Sequence, residues 1–286
     1  MMPVCPICES AEAAEFFMKN DRPLLICANC RHMWWRDMPG EAELAAYYRG
    51  QYTGNHAQDK IQEQAREYYR NHLQELAKAI DRSPAEATVM DYGCSIPVLA
   101  HEAVNLRFRK VFGVDWADEA KDSGRAWGVT VLSPPELSSL PDKSLDIVRF
   151  SHTIEHSIDP LGLLRTVLPK MRTGGLVYIT QPNFPVFRSQ SPPPDLKDTV
   201  YPEHLHFFSA LSLIEMTRRL NLSVERFFSH QNEEAVISQF NGMLDPDYAR
   251  ERLADYASKG DPYFPEFANY PYYAGENSVL YAFVRP

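Results

Sequence analysis

The sequence has no apolar run near the ~18 residues that would cross a bilayer. Its opening residues, MMPVCPICES, have neither the basic nor the apolar stretch of a secretory signal. Both absences point to a cytoplasmic protein without membrane contact. A block of basic residues is also missing. The formal charge is -9, and no stripe interleaves Arg or Lys with aromatics, which weighs against nucleic acid as a partner. The Gly-x-Gly-x-x-Gly fingerprint of dinucleotide enzymes does not occur, so a NAD enzyme fits poorly. Cysteine is scarce: the total is 5, and an odd number suits a disulfide framework badly.

The cysteines that are present fall in a pattern. Cys5-Pro6-Ile7-Cys8 and Cys27-Ala28-Asn29-Cys30 form two Cys-x-x-Cys knuckles, joined by short strands around Phe16-Phe17 and Leu24-Leu25-Ile26. Two knuckles fill the four positions of a tetrahedral zinc and leave no open position for catalysis, so the expected metal is structural. Residues 1–36 are thus expected to be a zinc ribbon, stapled because so short a segment cannot build a core of its own. His32 is expected at the surface, and Trp34 and Trp35 to pack the ribbon on its neighbour. Cys94 stands apart and reads as a small packing residue.

Residues 37–84 read as a helical connector and cap. Helices are expected over Glu41 to Tyr48 and Asp59 to Ile80, with Tyr68, Tyr69, Leu73, Leu76 and Ile80 on one stripe. From residue 85 to 286 the pattern becomes buried strands alternating with helices, the sign of a doubly wound, Rossmann-like α/β sheet. The organising stretch is VMDYGCSIPVLA, residues 89–100. It reads as a strand ending in Asp91, a tight turn at Gly93, and a helix over Val98 to Asn105 whose start offers N–H donors to a nucleoside-like ligand. A second strand ends in Asp115, placed to accept ribose hydroxyls, with Trp116 next to it for an adenine ring. Further strands are expected at 128–132, 145–150, 176–180, 222–228 and 278–284, with helices over 160–171 and 210–220.

VMDYGCSIPVLA, VFGVDWA and SLDIVRFSHTIEHSIDPLGLLRTVLPKMRTGGLVYITQPN, taken in order and spacing, resemble the class I S-adenosylmethionine-dependent methyltransferases. The likeness is strongest to the ubiquinone-pathway O-methyltransferases and sugar methyltransferases, and covers roughly residues 85–230. It implies methyl transfer, with Asp91 and Gly93 supporting the methionine part of the cofactor, Asp115 the ribose, and Glu136 or Leu137 facing adenine. Ser95 and Ser151 complete the implied cofactor set. The family commonly has three glycines in this loop, and here the later two positions hold Ser95 and Pro97. Serine keeps its N–H but its Cβ narrows the approach, whereas proline removes a donor.

Candidate chemistry lies after the fourth strand. His152, Glu155 and His156 would share a face if the segment were helical. The resemblance also implies a divalent-metal alternative at Glu155-His156, with His152 where the related enzymes have Glu. A histidine general base is the more economical role, since imidazole titrates near neutrality. His204 and His206, in HLHFFS, would point the same way in an extended segment, one catalytic and the other holding the loop. Residues 183–200 read as an irregular lid. An insertion at about 231–277, with a helix over 248–258 and an aromatic run over 263–273, reads as a cap or partner surface, which leaves a homodimer open. The expected function is methyl transfer from S-adenosylmethionine to a small-molecule acceptor, a sugar, phenol or other secondary metabolite, at a hydroxyl oxygen. N- or C-methylation, or a non-catalytic cofactor-binding scaffold of the same fold, are the alternatives.

Overall fold

A computed structural model describes residues 3–51, 63–182, 201–229 and 279–286. The expected lid over 183–200, the insertion with its helix and aromatic run, and residues 52–62 lie outside the described residues. Contacts divide the chain into two units. One comprises Met1–Met38, Ile154–Leu161 and Ile179–Val284; the other comprises Pro39–Thr153, Gly162–Tyr178 and Arg285–Pro286.

The first unit carries a four-stranded sheet of β1 (Ala13–Lys19), β2 (Arg22–Cys27), β3 (Met33–Trp35) and β9 (His206–Phe207), in that order. Its pairings are antiparallel, with Leu25 opposite Trp34, Met33 opposite Phe207 and Trp34 opposite His206. Trp34, Trp35, Phe207 and Phe208 are buried, which accounts for a very short strand: aromatic burial holds β9 where two residues of pairing alone would not. The turn at Ile154–His156 joins the same unit, since Leu205 N donates to Glu155 O at 2.9 Å. Then follow α6 (Ala210–Arg219), β10 (Ser223–Ser229) and β11 (Val279–Arg285). Ser209 caps α6 by accepting from Ser212 N, as its sequence position suggested.

The second unit holds α1 (Glu41–Gln51), α2 (Glu63–Ala79), β4 (Thr88–Tyr92), α3 (Val98–Asn105), β5 (Lys110–Val114), α4 (Asp118–Trp127), β6 (Thr130–Leu132), β7 (Leu145–Ser151) and α5 (Pro160–Val167); the last begins in the first unit. With β8 (Met171–Pro182) these strands form a five-stranded stretch of parallel sheet in the order β8-β7-β4-β5-β6, and the register places Asp91 beside both Gly113 and Arg149. The strands read as continuous apolar runs because helices cover both faces. On α2, Leu73, Leu76 and Ala77 are buried while Tyr68 is exposed. Glu102 of α3 is buried between Arg66 and Arg70 of α2, at 2.6 and 3.1 Å, and this pairing compensates its desolvation.

Two expected boundaries move. The helix expected to reach Met171 ends at Val167 in a tighter turn, Leu168–Lys170, and β8 begins at Met171, running through Gly174 with φ of 77°. No described helix is long and apolar enough to cross a membrane.

Candidate functional site

At the carboxyl end of β4 the chain turns at Gly93, which has φ of 74°. A Cβ there would lie 2.5 Å from Thr153 Oγ1, so glycine is required for both conformation and space. Thr153 ties the turn down, its hydroxyl lying 3.0 Å from both Tyr92 O and Ser151 O. The amides expected to face a ligand are partly committed within the fold. Gly93 N and Cys94 N donate to Val114 O at 2.8 and 3.1 Å, and Ser95 N donates to Asp115 Oδ2 at 2.7 Å. Ser95 adopts φ of 48°, the conformation a glycine would take without strain. Pro97 is the N-cap of α3, outside the helix proper, where its missing N–H costs little.

Asp115 accepts from Ser95 N and, at 3.0 Å, from Ala117 N. Burial raises its pKa, and these amides oppose the rise. A carboxylate has about four lone-pair sites, so acceptor capacity remains for ribose hydroxyls. That acceptor capacity is compatible with the ribose of a nucleoside. Trp116 is half-buried beside it. Cys94 is buried against Ala117, Ala120 and Val131, and burial pushes its thiol up, as suits a packing residue. Glu136 closes the turn Pro134–Ser139: Ser133 N and Oγ both lie 2.6 Å from Oε2 and Lys121 Nζ 3.0 Å, and the Ser133 hydroxyl leads in holding its pKa down to about 2. Leu137 is buried in the core, whereas the Glu136 side chain is exposed. Ser151 is half-buried at the end of β7.

Asp91 is buried and accepts from Arg149 Nη1 at 2.8 Å. Burial raises its pKa against the pull of the guanidinium. At Arg149 burial works against the charge, but the Asp91 carboxylate outweighs it and the pKa rises. Sequence reading passed over Arg149. The signal was there: a cation inside the buried run LDIVRFS needs a counter-charge.

In the first unit Glu155, His156 and His204 converge, their ligand atoms all within 4.8 Å of one another. His156 Nδ1 donates to Glu203 O at 2.5 Å, which leaves Nε2 as the basic nitrogen, 3.8 Å from Glu155 Oε1. The rings of His156 and His204 lie 4.8 Å apart. His152 is not in this cluster. The shared helical face does not form, because only Ile154–His156 make a turn of 3-10 helix and His152 sits before it, exposed, with φ of 50°.

His206, the other histidine expected in this segment, is held on both ring nitrogens. Its ring is fully buried, Nδ1 lies 2.9 Å from His32 Nε2, Nε2 lies 3.3 Å from Ile158 O, and burial lowers its pKa to about 4. Both nitrogens are engaged, so it holds the loop. His32, expected at the surface, is fully buried too, stacked on His206 and edge-on to Phe208.

The four cysteines Cys5, Cys8, Cys27 and Cys30 are buried within 4.8 Å of one another. Their sulfurs lie 3.6 Å apart for Cys5 and Cys30, and 3.5 Å for Cys8 and Cys27. A tetrahedral zinc with Zn–S near 2.3 Å sets its sulfurs roughly 3.8 Å apart, so the spacing is compatible with that ion and far from a disulfide. Ile7 N approaches Cys5 Sγ at 3.4 Å, and Asn29 N approaches Cys27 Sγ at 3.3 Å. Such contacts favour thiolates over thiols.

Residues 61–226 match a family model described as a methyltransferase domain. No curated protein sequence matches the chain. Among solved structures, the chain is similar to the 1,6-didemethyltoxoflavin-N1-methyltransferase of Burkholderia thailandensis, solved with 1,6-didemethyltoxoflavin and S-adenosylhomocysteine. That match has 15% identity and a TM-score of 0.51, over 96% of this chain and 99% of that one. It is also similar to an S-adenosylmethionine-dependent methyltransferase from Archaeoglobus fulgidus, with 18% identity and a TM-score of 0.48, over 77% and 94% of the two chains. At 15% identity the Burkholderia thailandensis structure speaks for the fold alone, whereas the family match spans more than half of the sequence. The chain therefore belongs to the methyltransferase-domain family, and the chemistry that goes with it is methyl transfer from S-adenosylmethionine.

Proposed function

We propose that the protein methylates a hydroxyl oxygen of a small molecule, a sugar, phenol or related metabolite, with His156 as the general base. The observation that carries the assignment is the His156 ring: Nδ1 is fixed on the Glu203 carbonyl, and the carboxylate of Glu155 lies beside Nε2. That arrangement sets the tautomer of a proton acceptor and stabilises the cation it becomes. His204, next to it, is the second candidate, and His152, exposed before the turn, a third. His206 takes no part in proton transfer in this reading.

Toward the cofactor, Asp91 and Gly93 hold the methionine part, Asp115 the ribose, and Trp116 the adenine, with Ser95 and Ser151 at the rim. When bound, the cofactor supplies an electrophilic sulfonium methyl. The protein's part is to align the acceptor, exclude water and accept the hydroxyl proton at Nε2 of His156. Residues 1–36 make a zinc ribbon whose four thiolates bind a structural ion, residues 37–84 a connector and cap, and 85–286 the methyltransferase domain.

Two measurements test this. Calorimetry with S-adenosylhomocysteine should give binding heat, and its absence at millimolar ligand would end the reading. With a radiolabelled methyl donor and a panel of phenols and sugars, His156→Gln should keep cofactor binding and lose about 10²-fold or more in turnover. Unchanged turnover in that variant would remove His156 as the base.

A further inference from the structure

Gln181 stands next to last on β8 and is fully buried, yet neither the nitrogen nor the oxygen of its side-chain amide has a hydrogen-bond partner among the described residues. A carboxamide faces two ways, with N–H donors on one side and an accepting oxygen on the other. Taking both out of water without partners is costly, and the four residues Leu176, Val177, Tyr178 and Ile179 show that this strand is otherwise built for an apolar interior. An amide kept there at a cost to folding calls for a ligand contact.

Its position fits one. Parallel sheets bind ligands off the carboxyl ends of their strands. β8 lies beside β7, whose end leads into the segment Ser151 to His156. The compact unit that holds Gln181 also holds Glu155, His156 and His204, whereas Asp91 and Asp115 belong to the other. Alternation along the strand puts Gln181 on the face of Val177 and Ile179, away from Tyr178, whose ring meets His72 of α2. Gln181 therefore goes with the acceptor-side histidines. A partner that satisfies the whole amide must donate and accept from neighbouring atoms. Two hydroxyls on adjacent carbons do so, because each both donates and accepts. A lone hydroxyl serves one side of the amide and leaves the other unpaired.

We propose that Gln181 binds the methyl acceptor through a pair of neighbouring hydroxyls, so that the acceptor is a vicinal diol, as in a sugar or a catechol. This rests on the reading of a hydroxyl acceptor given above, and it narrows that reading by selecting against monohydric phenols and alcohols. The test uses full-length wild type, Q181M and Q181L. In thermal melts without ligand, at least one variant should melt about 2 °C or more above wild type, because the unpaired amide is gone. A smaller rise in both, or a fall, would show that the amide serves the fold and overturns the proposal. The second measurement is calorimetry on protein saturated with S-adenosylhomocysteine, using two pairs of probes that differ by one hydroxyl. Catechol against phenol represents a planar acceptor, and cis-cyclohexane-1,2-diol against cyclohexanol a puckered, sugar-like one. In wild type at least one diol should bind about tenfold or more tightly than its monohydric partner. Both variants should lose that preference while their affinity for S-adenosylhomocysteine holds. No preference in either pair, a preference that survives the substitutions, or a parallel loss of S-adenosylhomocysteine affinity overturns the proposal. If wild type binds no S-adenosylhomocysteine at all, the underlying reading fails and the proposal with it.

Discussion

Ser95 shows how a substitution in a cofactor loop is tolerated. The backbone there has φ of 48°, a conformation that costs a residue with a Cβ about 1–2 kcal/mol, and the fold holds it through the amide bond to Asp115. A glycine would relieve the strain but forfeit about 0.5–1 kcal/mol in unfolded-chain entropy. Ser95→Gly should therefore stabilise the protein by up to about 1.5 kcal/mol, raising the Tm by up to about 5 °C in a thermal melt. A lower Tm would mean the serine side chain makes a contact that outweighs the strain. The loop's acids and glycine were legible from residue type and spacing. At Arg149 the need for a counter-charge is legible in LDIVRFS, but its partner, an acid 58 positions away, is set by the parallel register, as is the placing of Thr153 over Gly93.

At the scale of elements, those with strong local signals came out near their expected bounds: α3 over Val98–Asn105, α6 behind its Ser209 cap, β7 as an unbroken buried strand. β9 could not be read locally. Two residues carry no period, and HLHFFS reads as an extended segment with one catalytic histidine, whereas pairing with β3 and aromatic burial make His206–Phe207 the fourth strand of the N-terminal sheet. The same long-range contact buries His32, which local sequence places at the surface. The knuckles belong to this scale as well. If the four cysteines hold zinc, elemental analysis of native protein should give about one ion per chain. Cys27→Ser should abolish it and leave β1 and β2 open to proteolysis, because metal binding of this kind contributes on the order of 10 kcal/mol to folding. A native protein without metal would refute the assignment.

At the scale of the molecule, the N-terminal segment is expected to end near residue 36 with Trp34 and Trp35 packing it on its neighbour, and the contact pattern carries that packing far along the chain. The unit containing Met1–Met38 is completed by residues 154–161 and 179–284. Within it, Trp35 N and Nε1 donate to Leu205 O and His204 O, Trp35 packs edge-on to Phe207, and His32 packs on His206 and Phe208. Leu205, His206, Phe207 and Phe208 are 0–1% exposed, and β3 is the strand that pairs with them. Removing Met1–Met38 would bare three large apolar side chains at about 1.5–3 kcal/mol each, and would strip the His32 partner from a fully buried imidazole. The sum, roughly 4–9 kcal/mol before that loss, rivals the 5–15 kcal/mol by which a folded domain is stable. A chain starting at Pro39 should therefore be insoluble, or melt at least about 10 °C below the full-length protein. A truncated chain that stays monomeric with an unchanged Tm would show that the ribbon is a separable module after all.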